Sequence, residues 1–305
     1  NEFAAIEPLE IEAAAEEEFD ELQKRAYTLF INGHYDKAKE LLNEKEPWLL
    51  AFAKGYFDAL DHISFSNLAD NAYEYFSNIL LNVRETSPAL QIGDNVHKIA
   101  EKSVNGGVIE IPEGLAAFKA NIDILLAEIK SKYAQVEKTE ERILIPLSKI
   151  MQTDTNLNFK GYIDAIFRNE NNYLIVDWKT DKDEERSSKH RQQLEAYRRS
   201  YSAKNKIPLE NIKVAIGYVG LRSRINTGVV EAKLDMKQPV ASAFETFVKK
   251  VNMFLSWRND PSLFFEDISK IDSNDILWKS IIEQYKIEKM IKPSQIVVKA
   301  EQIMG

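Results

Sequence analysis

Two runs dense in aromatic and β-branched residues, Phe159 to Phe167 and Tyr173 to Thr180, flank the turn-forming Asn169-Glu170-Asn171-Asn172. They constrain the fold more than any other part of this chain, because they read as a β-hairpin. Pairing Arg168 with Tyr173 across the turn sets Asp164 opposite Asp177. Strand side chains alternate between faces, so Phe159, Ile163, Ala165, Phe167, Leu174, Val176 and Trp178 form an apolar face suited to a core. Tyr162, Asp164, Asp177 and Lys179 form the other. Two directly opposed carboxylates have Cβ atoms roughly 4.5–5.5 Å apart and repel. Such a pair calls for a cation, and Mg²⁺ suits it, since it binds one or two carboxylates and keeps sites for water and phosphate oxygens. Lys179 points the same way, placed to orient a water or to neutralise charge on a phosphate. A surface hairpin with a polar solvent face is the competing interpretation.

Around this hairpin the chain reads as strand (Arg142 to Pro146), the two hairpin strands, helix (Ser187 to Ala203) and strand (Ile212 to Gly220). Gly228 to Leu234 reads as an edge strand and Pro239 to Trp257 as a closing helix. A short sheet with helices on both faces is an α/β layer solution. Helical patterning covers Glu16 to about Val83, with SFSNLADNAYEYFSNILL as one helix, and recurs over Pro112 to about Val136 and Ile276 to Met290. Three segments result: a helical lead-in over residues 1–86, a core over 87–260 and a helical tail over 261–305.

Net charge of −8 argues against a protein that coats nucleic acid through bulk electrostatics, so distribution matters more than total. Residues 1–23 hold nine acids and no base, a solvated or partner-facing lead-in. Between Arg186 and Lys206 the balance reverses, with seven Lys or Arg against one Glu, interleaved with Tyr197 and Tyr201. That helix is either a solvated basic face or a phosphate-contacting one. Its stripe of His190, Gln193, Tyr197 and Tyr201 either faces a substrate or includes a buried hydrogen-bonded Gln193–Tyr197 pair. His97 sits beside the apolar Val96, Ile99 and Ala100 of a short helix, as a structural histidine or as a ligand completing a carboxylate site, where an imidazole suits Mn²⁺. His34, His62 and His190 show no ligand spacing.

No apolar run approaches a membrane span and no secretory leader is evident, which reads as a cytoplasmic protein with no membrane association. The chain contains no cysteine, which removes disulfides and thiolate metal sites. It has no G-x-x-x-x-G-K-[ST] motif, so it is not itself a nucleotide-driven motor.

Gly161-Tyr162-Ile163-Asp164 and Asp177-Trp178-Lys179-Thr180 resemble the G-x-[IV]-D and D-[YW]-K-T strands of the PD-(D/E)xK nuclease superfamily, in its RecB-like exonuclease branch. Gly93-Asp94-Asn95-Val96-His97 ahead of them and Gln193-Leu194-Glu195-Ala196-Tyr197 after them are similar to that branch's helical motifs, in the expected order. The resemblance implies a restriction-endonuclease-like core, a short mixed sheet flanked by helices, with the N-terminal helical region added to it. It implies His97, Asp164 and Asp177, with the main-chain carbonyl of Trp178, as ligands of Mg²⁺ or Mn²⁺. Asp164, Asp177 and Lys179 become the catalytic residues. Gln193 and Tyr197 become DNA contacts, joined by Arg191, Arg198, Tyr162 and Thr180. Several relatives carry an iron–sulfur cluster, which a chain without cysteine cannot ligate through thiolates.

The implied activity is metal-dependent exonucleolytic hydrolysis of DNA ends, single-stranded or unwound, in recombination or repair. By the same likeness the partner is a UvrD-like helicase domain or subunit, of which a chain beginning with Asn is read as a C-terminal fragment. The alternatives are a catalytically silent DNA-binding scaffold with the same fold, and a restriction or junction-resolving endonuclease.

Overall fold

The hairpin forms as two strands, β3 (Asn158–Asn169) and β4 (Asn172–Lys179), in a computed structural model that describes residues 29, 32–42, 48–80, 88–108, 110–222 and 229–289. Its ladder runs from Ala165–Val176 to Asn169–Asn172 and includes the expected Arg168–Tyr173 pair. The turn is two residues tighter than expected, because Asn169 and Asn172 themselves pair and Glu170 takes a positive φ of 53°.

The remaining strands are β1 (His62–Ser64), β2 (Gln135–Pro146), β5 (Ile212–Arg222) and β6 (Val230–Asp235). β2 runs antiparallel to β3 along nearly all of its length. The opposite edge of β3 is shared: β1 pairs in parallel with residues 158–160, and β4 takes residues 165–169. Residues 161–164 therefore lie in a gap between two partners, and that gap is where the site forms. β4 pairs in parallel with β5, and β6 closes the sheet antiparallel to β5. A parallel pair requires a crossover, supplied by the helix Ser187–Asn205. β4 and β5 are buried almost continuously, as central strands covered on both faces must be.

The described helices are α1 (Tyr35–Leu42), α2 (Trp48–Asp58), α3 (Ala72–Tyr75), α4 (Pro88–Val104), α5 (Ala116–Lys132), α6 (Ser187–Asn205), α7 (Ala241–Asn259), α8 (Pro261–Ser269) and α9 (Ile276–Lys289). α4 and α5 bury Val96, Ile99, Ala100, Ile122, Leu125 and Ile129 against Ala165, Phe167, Leu174, Val176 and Trp178 of the hairpin. Each of the Val, Leu, Ile and Phe side chains among them contributes about 1.5–3 kcal/mol when removed from water. α6 covers the other face of β4, with Tyr201 6.0 Å from Tyr173 between ring centroids.

The hairpin's expected single apolar face does not survive intact. Ala165 and Phe167 join the α4/α5 core, yet Phe159 and Gly161, of the same parity, meet Tyr197 of α6. β3 changes face at Asp164. Opposite it, Glu140 of β2 lies between the pairs Thr139–Ala165 and Glu141–Ile163 with φ at +46°. That left-handed conformation costs a non-glycine residue of order 1–3 kcal/mol, and it breaks the two-residue alternation in both strands.

The described residues form two compact units. One draws on Asp61–Leu68 and Arg84–Val251, the other on Ala69–Val83, the residues before Asp61 and those after Val251. The second unit is built on Phe57, Tyr75, Phe254, Trp257 and Phe264, with ring centroids 5.1–6.0 Å apart. The acidic stretch 1–23 lies outside the described residues. Within the expected lead-in helices, β1 interrupts, and SFSNLADNAYEYFSNILL divides into a 3-10 turn at Phe65–Asn67, α3 and a π-turn at Phe76–Leu80. The expected helix from Pro112 is shorter, α5, and its C-terminal end gives way to β2. α8 opens the expected helical tail, where Asp260 caps it by accepting from Ser262 N and Pro261 opens its first turn. No described helix is long and apolar enough to cross a membrane.

Candidate active site

Asp164 sits at the face change, where β3 and β4 stop pairing. Its expected pairing with Asp177 is absent from the ladder; the side chain reaches across instead, and Oδ2 accepts a 2.7 Å hydrogen bond from Trp178 N. The acid thus satisfies a main-chain donor that the broken ladder leaves without a carbonyl. His97 Nδ1 of α4 lies 3.3 Å from the same oxygen. Burial works against the imidazolium, but Asp164, by hydrogen bonding and charge, and Asp177, by charge, outweigh burial and an opposing Lys179, leaving the His97 pKa raised.

Asp177 is 3% exposed, and its Oδ2 is 2.6 Å from Lys179 Nζ yet accepts no aligned hydrogen bond. Burial pushes its carboxyl upward; Lys179 pulls it back, Asp164 adds to the rise and His97 opposes it. For Lys179, burial disfavours the ammonium, and the charges of Asp177 and Asp164 overcome that, so its pKa is raised. Lys179 remains a cation. Nζ also lies 3.5 Å from Gln193 Oε1, and Gln193 Nε2 donates to Tyr197 Oη at 3.1 Å. Burial pushes the Tyr197 phenol up to about 12, so it is neutral at ordinary pH.

The two expected groups therefore meet: His97 with Asp164, and Asp177 with Lys179, Gln193 and Tyr197. Among the described residues no three His, Asp or Glu side chains are gathered into a set that holds a metal by itself. The acids are engaged with Trp178 N and Lys179 instead. The buried Asp177 Oδ2 is balanced by the Lys179 ammonium at 2.6 Å without an aligned hydrogen bond, so it keeps lone-pair capacity that suits a second cation.

Trp178 contributes its main chain to the site and its side chain to the core, filling space that Gly217 leaves open; a Cβ there would stand 2.5 Å from the indole. Thr180 follows Lys179 half-buried, with Oγ1 3.9 Å from where a Cβ on Gly93 would be. Tyr162 is 48% exposed, two residues before Asp164. The α6 stripe faces the protein: His190, Tyr197 and Tyr201 are buried, and the Gln193–Tyr197 hydrogen-bonded pair is the alternative that forms.

Arg191 and Arg198 spend their guanidinium donors within the protein. Arg191 pairs with Asp235, and Arg198 donates to the carbonyls of Ile212 (2.7 Å) and Leu209 (2.8 Å) and bridges to Glu195 (3.2 Å). Much of the helix's basic character is thus structural.

Glu140 is the residue that sequence reasoning missed. Burial and the charge of Asp164 push its carboxyl upward, His97 opposes and Glu101 adds to the rise, so it belongs to the same electrostatic cluster. Nothing in the charge-alternating Glu137-Lys138-Thr139-Glu140-Glu141-Arg142 marks it. Its left-handed backbone opposite Asp164 does.

The family model of the PD-(D/E)XK nuclease superfamily matches residues 62–263, more than half of the chain. No curated protein matches the chain. Among solved structures it is similar to the crystal structure of SSO0001, with 16% identity, a TM-score of 0.37, and coverage of 73% of this chain and 95% of that one.

Proposed function

The chain belongs to the PD-(D/E)XK nuclease superfamily, and from that premise we propose that it is a divalent-metal-dependent deoxyribonuclease, an exonuclease that trims DNA ends in recombination or repair alongside a helicase. The observation that carries this reading is the gathering of buried Asp177 and Lys179, 2.6 Å apart, with Asp164 and His97, 3.3 Å apart, in one electrostatic cluster. Asp164, Asp177 and His97, with the Trp178 main-chain carbonyl, would hold Mg²⁺ or Mn²⁺. A bound ion there supplies Lewis acidity and a more acidic water.

The chain's own residues do the rest. Asp177 keeps Lys179 charged, and Gln193 holds its ammonium from the other side, aimed where negative charge grows on a phosphate. Tyr197 stays neutral and fixes the Gln193 amide, so that Gln193 offers its oxygen to Lys179. The exonuclease and helicase parts rest on the four ordered motifs.

Labelled linear DNA with Mg²⁺ or Mn²⁺ tests the reading. Asp177→Ala and Lys179→Ala should each lower the cleavage rate by about 100-fold or more, the scale of losing an electrostatic stabiliser of the transition state. Unchanged rates in both variants refute the assignment, and a silent scaffold would bind DNA without cutting it. Covalently closed circular DNA should survive an exonuclease; its cleavage would make the protein an endonuclease.

A further inference from the structure

The stretch of sheet leading to Asp164 buries one face and leaves the other in water. Upstream of the face change, Ile143, Ile145, Phe159 and Ile163 are buried. The pairs Arg142–Tyr162 and Leu144–Lys160 place those four side chains together on the opposite face, because directly paired residues share a side of the sheet. Tyr162 is 48% exposed and Leu144 45%, two large apolar groups set among cations. Arg142 and Lys160 set two cations beside these apolar groups, with Asp61 within charge range of Lys160. It is continuous with the candidate active site, since Tyr162 precedes Asp164 by two residues, roughly 6.6–6.8 Å along a strand.

We propose that this face is a track for one single strand of nucleic acid approaching Asp164, with Tyr162 and Leu144 beneath its bases and Arg142 and Lys160 at its phosphates. The proposal rests on the nuclease reading and deepens it by naming the side chains that take the strand on its way to Asp164. Interleaved aromatics and cations are what an unpaired strand requires, because stacking on a ring and phosphate contact act at the same nucleotide. A duplex keeps its bases stacked inside, so an exposed Tyr162 ring gains little from it. The aliphatic Leu144 has no charge to satisfy and offers the same strand a second apolar surface.

Fluorescence anisotropy with a fluorescein-labelled oligo-dT, in EDTA to prevent cleavage, tests the track. Tyr162→Ala should weaken binding about tenfold, the effect of losing one base–aromatic stack, whereas Tyr162→Phe should bind as the unaltered protein does. Replacing Arg142 and Lys160 together by Ala should reduce the slope of log affinity against log salt by about 1.4, or about 0.7 for each lost phosphate contact. All four side chains are at least partly exposed, and an unchanged far-UV spectrum confirms that each variant is folded.

Binding by Tyr162→Ala within about twofold of the unaltered protein overturns the proposal, as do equal losses on blunt duplex and on oligo-dT. If Asp177→Ala abolishes cleavage while Tyr162→Ala binds normally, the track is wrong and the nuclease reading stands. If the unaltered protein binds no oligonucleotide in EDTA yet cuts labelled DNA with Mg²⁺, the track is wrong and the nuclease reading stands; if it neither binds nor cuts, both fall.

Discussion

Helices α4 and α6 both deliver side chains to the hairpin, and they are anchored in opposite ways. α6 is locked by shape. A Cβ on Gly161 would stand 2.5 Å from the Tyr197 ring, Arg198 is tied to two carbonyls of the β5 approach, and His190 Nε2 is 3.0 Å from Asp181 Oδ2 beyond the end of β4. α4 buries Val96, Ile99 and Ala100, but its functional group is held loosely: the His97 side chain is 35% exposed and meets Asp164 at 3.3 Å. The side of the site carrying Lys179 and Gln193 is therefore fixed by packing, which tolerates little change. The side carrying His97 is held by charge, and can readjust when another cation enters.

The largest effect expected from this contrast is at Gly161. Gly161→Ala forces a methyl group into the Tyr197 ring and should lower the unfolding free energy by about 1–3 kcal/mol, read from urea denaturation. A variant as stable as the unaltered protein would mean that α6 is not locked. His97→Ala should sharpen the contrast from the other side: about a tenfold or greater loss of Mn²⁺ affinity by calorimetry, with stability changed by about 0.5 kcal/mol or less. A large loss of stability there would make His97 a packing residue.

Gly93 provides a matched control on α4. A Cβ there comes no closer than 3.9 Å to Thr180 Oγ1 and φ needs no glycine, so Gly93→Ala should stabilise the protein by about 0.5–1 kcal/mol, raising the melting temperature rather than lowering it. The smallest effect concerns the α6 anchor at Asp181. Its hydrogen bond from His190 holds the Asp181 carboxyl below its ordinary value, and burial opposes. A lowered folded pKa stabilises the protein above the unfolded Asp value of about 3.9 and loses that contribution as pH falls through the folded value. Asp181→Asn should thus be less stable than the unaltered protein at neutral pH, with the gap closing as pH drops below about 4. A gap that persists in acid would assign the loss to packing.

Much of the architecture is legible in local pattern. The hairpin strands, the Arg168–Tyr173 register, the span of α6 and the strand from Ile212 all follow from aromatic and β-branched density and from turn residues. β1 is not legible. Three residues have no periodicity to detect, and His62–Ser64 becomes a strand only because Asn158–Lys160 offers it an edge. The face change at Asp164 is hidden for a related reason: alternation assumes an unbroken ladder, and Glu140 breaks it from another strand. The basic α6 helix looked free to meet phosphate because a sequence shows charges without their partners. Asp235, Glu195 and the carbonyls of Leu209 and Ile212 come from elsewhere in the chain.

By itself, then, the sequence determined which chemistry is present: two aspartates, a lysine, a histidine and a Gln–Tyr pair on elements of known type, because residue identity and short-range periodicity are local properties. Tertiary structure decided how they are deployed. It turned Asp164 out of the ladder toward Trp178 N, left one Asp177 oxygen without a hydrogen bond beside Lys179, and brought Glu140 to the same cluster. Those outcomes depend on which strand claims each backbone hydrogen bond and where the ladders stop, and contacts between residues far apart in the chain settle both.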